Sequence, residues 1–270
     1  MKMPSLMYGT AWKKEHTADL VVRAVLSGFR GIDTACQPKH YNEPMVGEAL
    51  KRLKEHGITR EELFVQTKFT PLSGQDPQRV PYNPNEPLDV QVAQSFEASK
   101  RNLGTPYLDA LILHSPLFPY ANLWMVWKAM EKIYQQGGAR ALGISNCYDL
   151  ELLKRLYHDA EVKPSVVQNR FYKESGYDTH LRQWCQDMGI VYQSFWSLTA
   201  NPHILGSEIV SNMSLQYGKT PAQILYRYLN HAGIVPLIGS TSQEHMTQDL
   251  KIFEFELLVP EIQSITQLLG

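Results

Sequence analysis

The stretch ALILH (residues 110–114) shows the pattern that decides the fold: a short apolar run ends in a polar residue and precedes a segment of helical period. Runs rich in Leu, Ile and Val without strict alternation are typical of parallel strands that are covered on both faces. The chain contains seven more of them, namely SLMYGT (5–10), GFRGID (28–33), LFVQTK (63–68), ARALGISN (139–146), SVVQN (165–169), IVYQS (190–194) and GIVPLIGS (233–240).

Amphipathic segments of helical period lie between these runs. Residues 17–28 carry one apolar face and end in a glycine, the residue preferred just after a helix. Asp149 is predicted to cap a helix over residues 149–157. Thr220 and Pro221 are predicted to be the N-cap and first residue of another helix. The chain thus alternates strands with helices.

This alternation predicts parallel βαβ units. Eight units predict an α/β fold, a closed (β/α)8 TIM barrel formed by a single domain over residues 1–270. The length is close to the roughly 250 residues typical of such a barrel. An open doubly wound sheet is the alternative, but it would usually carry a Gly-rich turn after its first strand, and the sequence contains no G-x-G-x-x-G.

Two segments depart from the alternation. Residues 69–87 contain five prolines and form a long loop, which is expected to be functional or mobile. Residues 253–270 lie beyond the eighth unit and are predicted to form a C-terminal packing segment with a final helix.

Composition and charge narrow the classes of partner. The formal net charge is −1, with 26 Lys+Arg and 27 Asp+Glu, which argues against nucleic acid or a membrane surface as the partner. The three cysteines form no CxxC pair, so neither a metal site nor a disulfide framework is expected. There is no signal-peptide pattern at the N-terminus and no apolar run near the ~20 residues that cross a bilayer. A cytoplasmic protein that acts on a small molecule is expected.

Polar residues close the apolar runs. In barrels of this kind the active site forms at the C-terminal ends of the strands, so these residues are predicted to meet at one mouth. They are Asp33, Lys68, His114, Asn146, Gln168 and Ser240.

Six motifs in order give the chain a family resemblance. They are GFRGIDTA (28–35), LFVQTK (63–68), LDALILHSP (108–116), ALGISN (141–146), SVVQN (165–169), and PAQILYRY (221–228) with VPLIGS (235–240) after it. Over about residues 5–255 the sequence resembles the aldo-keto reductases. The resemblance implies NAD(P)H-dependent reduction of aldehydes or ketones, with Asp33, Tyr41, Lys68 and His114 as catalytic residues.

Tyr41 departs from the family spacing. The family usually places its tyrosine five residues after the aspartate, whereas eight separate Asp33 from Tyr41. The segment NEPMVGEAL (42–50) nonetheless resembles the family's segment after its tyrosine, which predicts three extra residues in the loop. The alternative is that Tyr41 is displaced and that the enzyme is slow or inactive.

The chemistry of carbonyl reduction fits these residue types. A tyrosine with its ordinary pKa near 10 is a poor proton donor at neutral pH, and an ammonium such as Lys68 within ~4–6 Å would lower that pKa by roughly 1–3 units. Asp33 would supply the counter-charge, and His114 would orient the substrate oxygen. The alternatives are a structural Asp33–Lys68 ion pair and a core histidine.

The resemblance also implies a dinucleotide site. Ser145, Asn146 and Gln168 would bind the nicotinamide carboxamide, and Trp196 would stack on the ring, with core packing as the alternative for Trp196. The full predicted set is Gly9, Thr10, Asp33, Ser145, Asn146, Gln168, Trp196, Ser197, Leu198, Gly239, Ser240, Thr241, Gln248 and Asp249.

The cofactor preference is predicted from two positions. Gly239 and His245 stand where NADPH-preferring members commonly carry lysine and arginine. Without a guanidinium fork, discrimination for the 2′-phosphate is expected to be weak. NADP(H) is favoured, because hydroxyls and a helix N-terminus can bind phosphate, and NAD(H) is expected to be accepted.

The predicted substrate pocket is open and aromatic, for small or bulky carbonyl compounds. Its members are Trp12, Phe69, Tyr82, Phe118 and Tyr120. A monomer is expected, since the family commonly is one. Two alternatives to a reductase stay open, because fold alone does not separate them: a nicotinamide-binding regulatory or interaction module with little turnover, and an unrelated barrel hydrolase or lyase.

Overall fold

The computed structural model of the chain describes residues 3–269, so the ends of the predicted domain (1–270) and of the C-terminal segment (253–270) lie outside the described residues. Eight parallel strands, paired in chain order, close into a barrel within a single domain, which confirms the predicted α/β fold. They are β1 (Met7–Gly9), β2 (Gly31–Asp33), β3 (Phe64–Phe69), β4 (Ala110–Leu113), β5 (Leu142–Ser145), β6 (Val166–Arg170), β7 (Val191–Phe195) and β8 (Ile234–Ile238).

Helices surround the barrel. The α-helices are α1 (Thr17–Ser27), α2 (Glu43–Glu55), α3 (Leu88–Leu103), α4 (Tyr120–Gln135), α5 (Leu150–Asp159), α6 (Thr179–Asp187), α7 (Pro202–Leu205), α8 (Glu208–Tyr217), α9 (Pro221–His231), α10 (Gln243–Leu250) and α11 (Val259–Gln267). Short 3₁₀ helices cover Lys14–His16, Arg60–Glu62, Leu72–Gly74, Lys173–Asp178 and Lys251–Glu254. No helix within residues 3–269 is both long and apolar enough to cross a membrane.

The helix ends carry the predicted caps. The side chain of Asp149 accepts hydrogen bonds from the backbone N–H groups of Glu151 and Leu152 at the start of α5. Thr220 caps α9 and forms a capping box with Gln223. Such caps satisfy N–H groups that have no partner inside the helix, so the sequence fixes where these two helices begin.

The interior of the barrel has an apolar layer at its N-terminal end. The layer consists of Met7, Phe64, Ala110, Ile112 and Val166. Gly31 makes room for it, because a Cβ at that position would lie 2.1 Å from Sδ of Met7. Closer to the C-terminal ends of the strands, the interior becomes polar.

The loop predicted over residues 69–87 begins after Phe69, the last residue of β3, and packs against the barrel. The hydroxyl of Tyr82 donates to the carbonyl of Thr70 over 2.9 Å. The buried Gln75 donates from Nε2 to the carbonyls of Cys36 (3.0 Å) and Thr70 (3.2 Å). These bonds hold the beginning of the loop beside the C-terminal end of β3. After the barrel, α11 packs against α8 and α9 through the buried Ile265.

Candidate active site

A cavity of about 860 Å3 opens at the C-terminal ends of the strands. Its volume lies in the range of roughly 300–1,000 Å3 that is typical of small-molecule sites. The predicted residues that line it are Gly9, Trp12, Asp33, Tyr41, His114, Ser145, Asn146, Gln168, Trp196, Ser197, Leu198, Gly239, Ser240, Gln248 and Asp249.

An ion pair lies at the bottom of this cavity, where Asp33 lines it and the predicted Lys68 is buried behind Asp33 and does not itself line the cavity. Nζ of Lys68 is 2.7 Å from each carboxylate oxygen of Asp33 and 2.8 Å from the carbonyl oxygen of Thr34. An ammonium has three donors, so these bonds use all of them. Burial lowers the pKa of Lys68, and the Asp33 carboxylate offsets part of that effect. The cation is thus fixed in place.

Tyr41 reaches this ion pair in spite of the longer loop. Its ring centroid lies 5.0 Å from Nζ of Lys68 and 6.0 Å from the ring centroid of His114. The loop is held by Gln37, whose carbonyl accepts from the N–H of Tyr41 over 3.0 Å and whose Nε2 donates to the carbonyl of Gly74 over 2.6 Å. These two bonds hold the segment between Asp33 and Tyr41 in place.

The pKa of Tyr41 is raised, chiefly by burial and further by the Asp33 carboxylate. The sequence predicts that Lys68 lowers this pKa below its ordinary value, but burial and Asp33 outweigh the effect of the ammonium 5.0 Å from the ring. The N–H groups of Lys68 point at Asp33 and Thr34, so the carboxylate offsets part of the effect of the ammonium on the phenol. The phenol is consequently protonated at neutral pH.

His114 is held as a neutral imidazole. Its Nδ1 lies 2.7 Å from Oγ1 of Thr70. Burial lowers the pKa of His114 well below its ordinary value, and the positive charge of Lys68 lowers it further. Asn146 donates from Nδ2 to the carbonyl of His114 over 2.8 Å, which links the ends of β4 and β5. Nε2 is the ring nitrogen left for a ligand.

A group of polar side chains connects the ion pair to β6 and β7. Gln168 donates from Nε2 to Oδ1 of Asp33 (3.0 Å) and to Oε1 of Gln193 (2.8 Å). Both N–H groups of this amide are thus used within the protein. Oε1 of Gln168 is left as an acceptor beside the cavity, which fits a ligand with an amide N–H₂.

The opposite end of the cavity lies between β8 and α10. Nζ of Lys13 donates to the carbonyl of Gly239. Asp249 is buried at 6% exposure, and this burial raises its pKa to about 7. Ser242 caps α10 by accepting from the N–H of His245. An ammonium, a backbone carbonyl, a hydroxyl and a carboxylate therefore surround this end.

Comparison with known proteins gives the family. The model of the Aldo/keto reductase family matches residues 5–209, most of the chain. The chain belongs to the aldo/keto reductase family. It is an oxidoreductase of the family's carbonyl-reducing kind, which excludes an unrelated barrel hydrolase or lyase.

This aldo/keto reductase is similar to proteins of several organisms. It is 31% identical over 249 residues to glyoxal reductase of Bacillus subtilis, covering 92% of this chain and 82% of the relative. It is 28% identical to 9,11-endoperoxide prostaglandin H2 reductase of Trypanosoma cruzi, covering 99% and 88%. The crystal structure of the aldo-keto reductase MGS-M4 from a Medee basin deep-sea metagenome library superposes with a TM-score of 0.84 at 27% identity, covering 99% of this chain and 92% of that chain.

Four residues of the predicted substrate pocket do not line the cavity. Phe69 and Tyr82 are 1% and 5% exposed and pack together in the core, with ring centroids 5.7 Å apart. Phe118 is 70% exposed. Tyr120 donates its hydroxyl to Asp159 over 2.7 Å, away from the mouth. The prediction placed them on the cavity because the sequence near the end of a strand or in a loop does not reveal which way each side chain points.

Two predicted cofactor residues also lie off the cavity lining of this aldo/keto reductase. Thr10 is buried, and its hydroxyl donates to the carbonyl of Asp33 over 2.9 Å. Thr241 lies in the turn before α10 but is absent from the described lining. Thr10 therefore supports Asp33 from behind.

Several lining residues have no counterpart in the sequence prediction. His40 lines the cavity and packs on Trp12 with ring centroids 4.0 Å apart. Phe195, the last residue of β7, lines it beside the predicted Trp196, which is 50% exposed. Lys13 and Arg170 also line it. The two-residue repeat of β6 could have revealed Arg170, since it lies two residues after Gln168 on the same face.

Proposed function

We propose that this aldo/keto reductase reduces aldehydes and ketones to alcohols with a nicotinamide dinucleotide, and that Tyr41 is the proton donor. The observation that carries the proposal is the placement of Tyr41 5.0 Å from the Lys68 ammonium and 6.0 Å from the His114 ring, at the bottom of one cavity. When bound, the dinucleotide supplies the hydride that is transferred to the carbonyl carbon.

His114 orients the substrate oxygen in this proposal. If the Thr70 hydroxyl donates to Nδ1, the neutral imidazole carries its proton on Nε2. Nε2–H then donates to the carbonyl oxygen, which polarises the bond and fixes its direction. The lowered pKa of His114 supports this assignment, because a neutral ring does not compete with Tyr41 as an acid.

Tyr41 transfers its phenolic proton to the oxygen as negative charge develops there. Its raised pKa keeps the phenol protonated, and an alkoxide is a strong enough base to take the proton. The phenolate that remains is stabilised by the nearby Lys68 ammonium, which Asp33 holds in position. General acid catalysis of this kind typically contributes ~10²–10⁴-fold.

The cofactor is proposed to lie across the mouth. Ser145, Asn146 and Oε1 of Gln168 would bind the carboxamide, and Phe195 and Trp196 offer aromatic surface beside it. The far end would hold the adenosine half among Gly239, Ser240, Gln248 and Asp249, with the N-terminus of α10 next to a phosphate. NADP(H) is the preferred cofactor in this proposal, and NAD(H) is also accepted.

The test is steady-state oxidation of NADPH and NADH with 4-nitrobenzaldehyde or a dicarbonyl, for the wild type and for Tyr41→Phe. We expect Tyr41→Phe to lower kcat by roughly 10²–10⁴-fold with an unchanged Kd for NADPH, measured by fluorescence quenching. Tyr120→Phe, which removes a hydroxyl outside the cavity, is the matched control and should keep full activity. Full activity of Tyr41→Phe would refute the assignment of the donor.

The same assay separates a reductase from a binding module. A nicotinamide-binding module with little turnover would bind NADPH but oxidise it no faster with an aldehyde than without one. Sustained, aldehyde-dependent oxidation by the wild type supports the reductase.

A further inference from the structure

Arg170 is a cation in the cavity that the proposed reaction does not use. It is the last residue of β6 and lines the cavity next to Trp196. Its guanidinium carbon lies 4.1 Å from the ring centroid of Trp196 and 5.1 Å from that of Tyr172. The two aromatic rings therefore fix the guanidinium at the mouth of the barrel.

No carboxylate neutralises this guanidinium among residues 3–269. Arg60, Arg140 and Arg227 each form an ion pair with a carboxylate, whereas no such pair involves Arg170. Its Nε is a buried donor without a hydrogen-bond partner in the described part of the chain. A buried donor left without a partner is costly, so a ligand that satisfies it would bind more tightly.

The direction of the side chain is set by β6. Residues two apart in a strand lie on the same face, so Arg170 lies one step nearer to the mouth than Gln168, roughly 6–7 Å along the strand. Gln168 itself contacts Asp33 at the bottom of the cavity. Arg170 is consequently placed at the outer part of the cavity, above the reacting groups.

The charges around the cavity favour an anion there. The negative charge of Asp33 is neutralised by Lys68. Asp249 lies at the other end of the cavity, on α10. A guanidinium presents its N–H groups in the plane of the fork, which matches the two oxygens of a carboxylate or phosphate, and stacking on aromatic faces leaves that plane free.

We propose that Arg170 binds an anionic group, a carboxylate or a phosphate, of the molecule that occupies the cavity. Its source is either a substituent of the substrate, in which case the enzyme is selective for negatively charged carbonyl compounds, or the diphosphate of the dinucleotide. The test of the substrate as the source of the anion rests on the proposed reductase activity.

The experiment compares 4-carboxybenzaldehyde with benzaldehyde, which share a ring and differ in charge, in the wild type, Arg170→Gln and Arg170→Lys. The control is Arg155→Gln, since Arg155 also stacks on an aromatic ring (Tyr120, 3.7 Å) but lies outside the cavity. Fluorescence titrations with NADPH and with sodium benzoate are run on the same proteins. Thermal unfolding shows that each variant is folded.

If the anion belongs to the substrate, Arg170→Gln lowers kcat/KM for 4-carboxybenzaldehyde by roughly 10- to 100-fold relative to benzaldehyde, with the Kd for NADPH unchanged. Arg170→Lys then recovers part of the loss, because it keeps the charge but not the fork. If the anion is the diphosphate, the Kd for NADPH rises by a similar factor and the preference between the aldehydes does not change.

The proposal is overturned if Arg170→Gln behaves like Arg155→Gln in the aldehyde preference and in both titrations. Failure of the proposed function looks different: the wild type would reduce neither aldehyde, while the NADPH and benzoate titrations would still report whether Arg170 binds an anion.

Discussion

Nε2 of Gln66 donates to Oδ1 of Asp33 over 2.6 Å, so the carboxylate that holds Lys68 is itself held from inside the barrel. Gln66 and Gln193 also exchange two hydrogen bonds, of 2.8 and 2.9 Å, across the interior. The Asp33–Lys68 ion pair therefore rests on a layer of buried amides rather than on apolar side chains.

Replacing Gln66 should loosen the ion pair. Gln66→Leu removes the donor to Asp33 and leaves the amide of Gln193 without its main partner, so we expect the free energy of unfolding to fall by about 1–3 kcal/mol. Reductase kcat should fall as well, since Asp33 loses one of the bonds that orient it. Urea unfolding and steady-state kinetics measure both effects. Gln216→Leu, at an exposed site on α8, is the control and should change stability by less than about 0.5 kcal/mol.

Removing the cation alone should harm the fold more than removing both charges. Lys68→Met leaves the buried carboxylate of Asp33 without a counter-charge, which typically costs ~3–5 kcal/mol. Adding Asp33→Asn should restore much of the stability, while activity stays lost because the cation beside Tyr41 is gone. The comparison is made by measuring thermal unfolding and kcat of Lys68→Met and of the double variant. Equal stability of the single and double variants would contradict a charge effect.

The pH profile should distinguish the observed site from the one that the sequence predicts. The acid must be protonated to act, and the pKa of Tyr41 is raised rather than lowered. We therefore expect kcat/KM to lose nothing to ionisation of Tyr41 between pH 6 and about pH 9. A tyrosine whose pKa is lowered by Lys68 would instead make the rate fall above about pH 8. Measurement of kcat/KM in overlapping buffers decides between them.

Asp249 should make stability depend on pH. Burial raises its pKa from 3.8 to about 7, so the folded state binds a proton more tightly than the unfolded state does. The resulting stabilisation is complete below pH 3.8 and is lost as the pH rises to about 7. The free energy of unfolding of Asp249→Asn, relative to that of the wild type, should therefore rise by about 1–3 kcal/mol as the pH is raised from 5 to 8. Urea unfolding at both pH values tests this, with the surface variant Asp187→Asn as the control.

Sequence patterns predicted the parts of the site that stand on strands. Asp33, Lys68 and His114 come directly after apolar runs, and the register of a barrel brings such ends to one mouth. Side chains outside the strands were harder to predict. Tyr82 turns into the core and packs on Phe69, the last residue of β3, and the sequence of the loop does not specify that packing. Lys13 acquires its place from a contact with Gly239, which is distant in the chain.

The apolar layer at the N-terminal end of the barrel has a consequence for the path by which protons reach the cavity. Met7, Phe64, Ala110, Ile112 and Val166 offer no hydrogen bonds to water, so a chain of waters finds no partners among them. In the proposed reaction, a proton that replaces the one given up by Tyr41 must then enter through the same mouth as the ligands. In that reaction the incoming proton and the departing product use the same opening of the cavity. The molecule that occupies this opening therefore controls when Tyr41 is re-protonated.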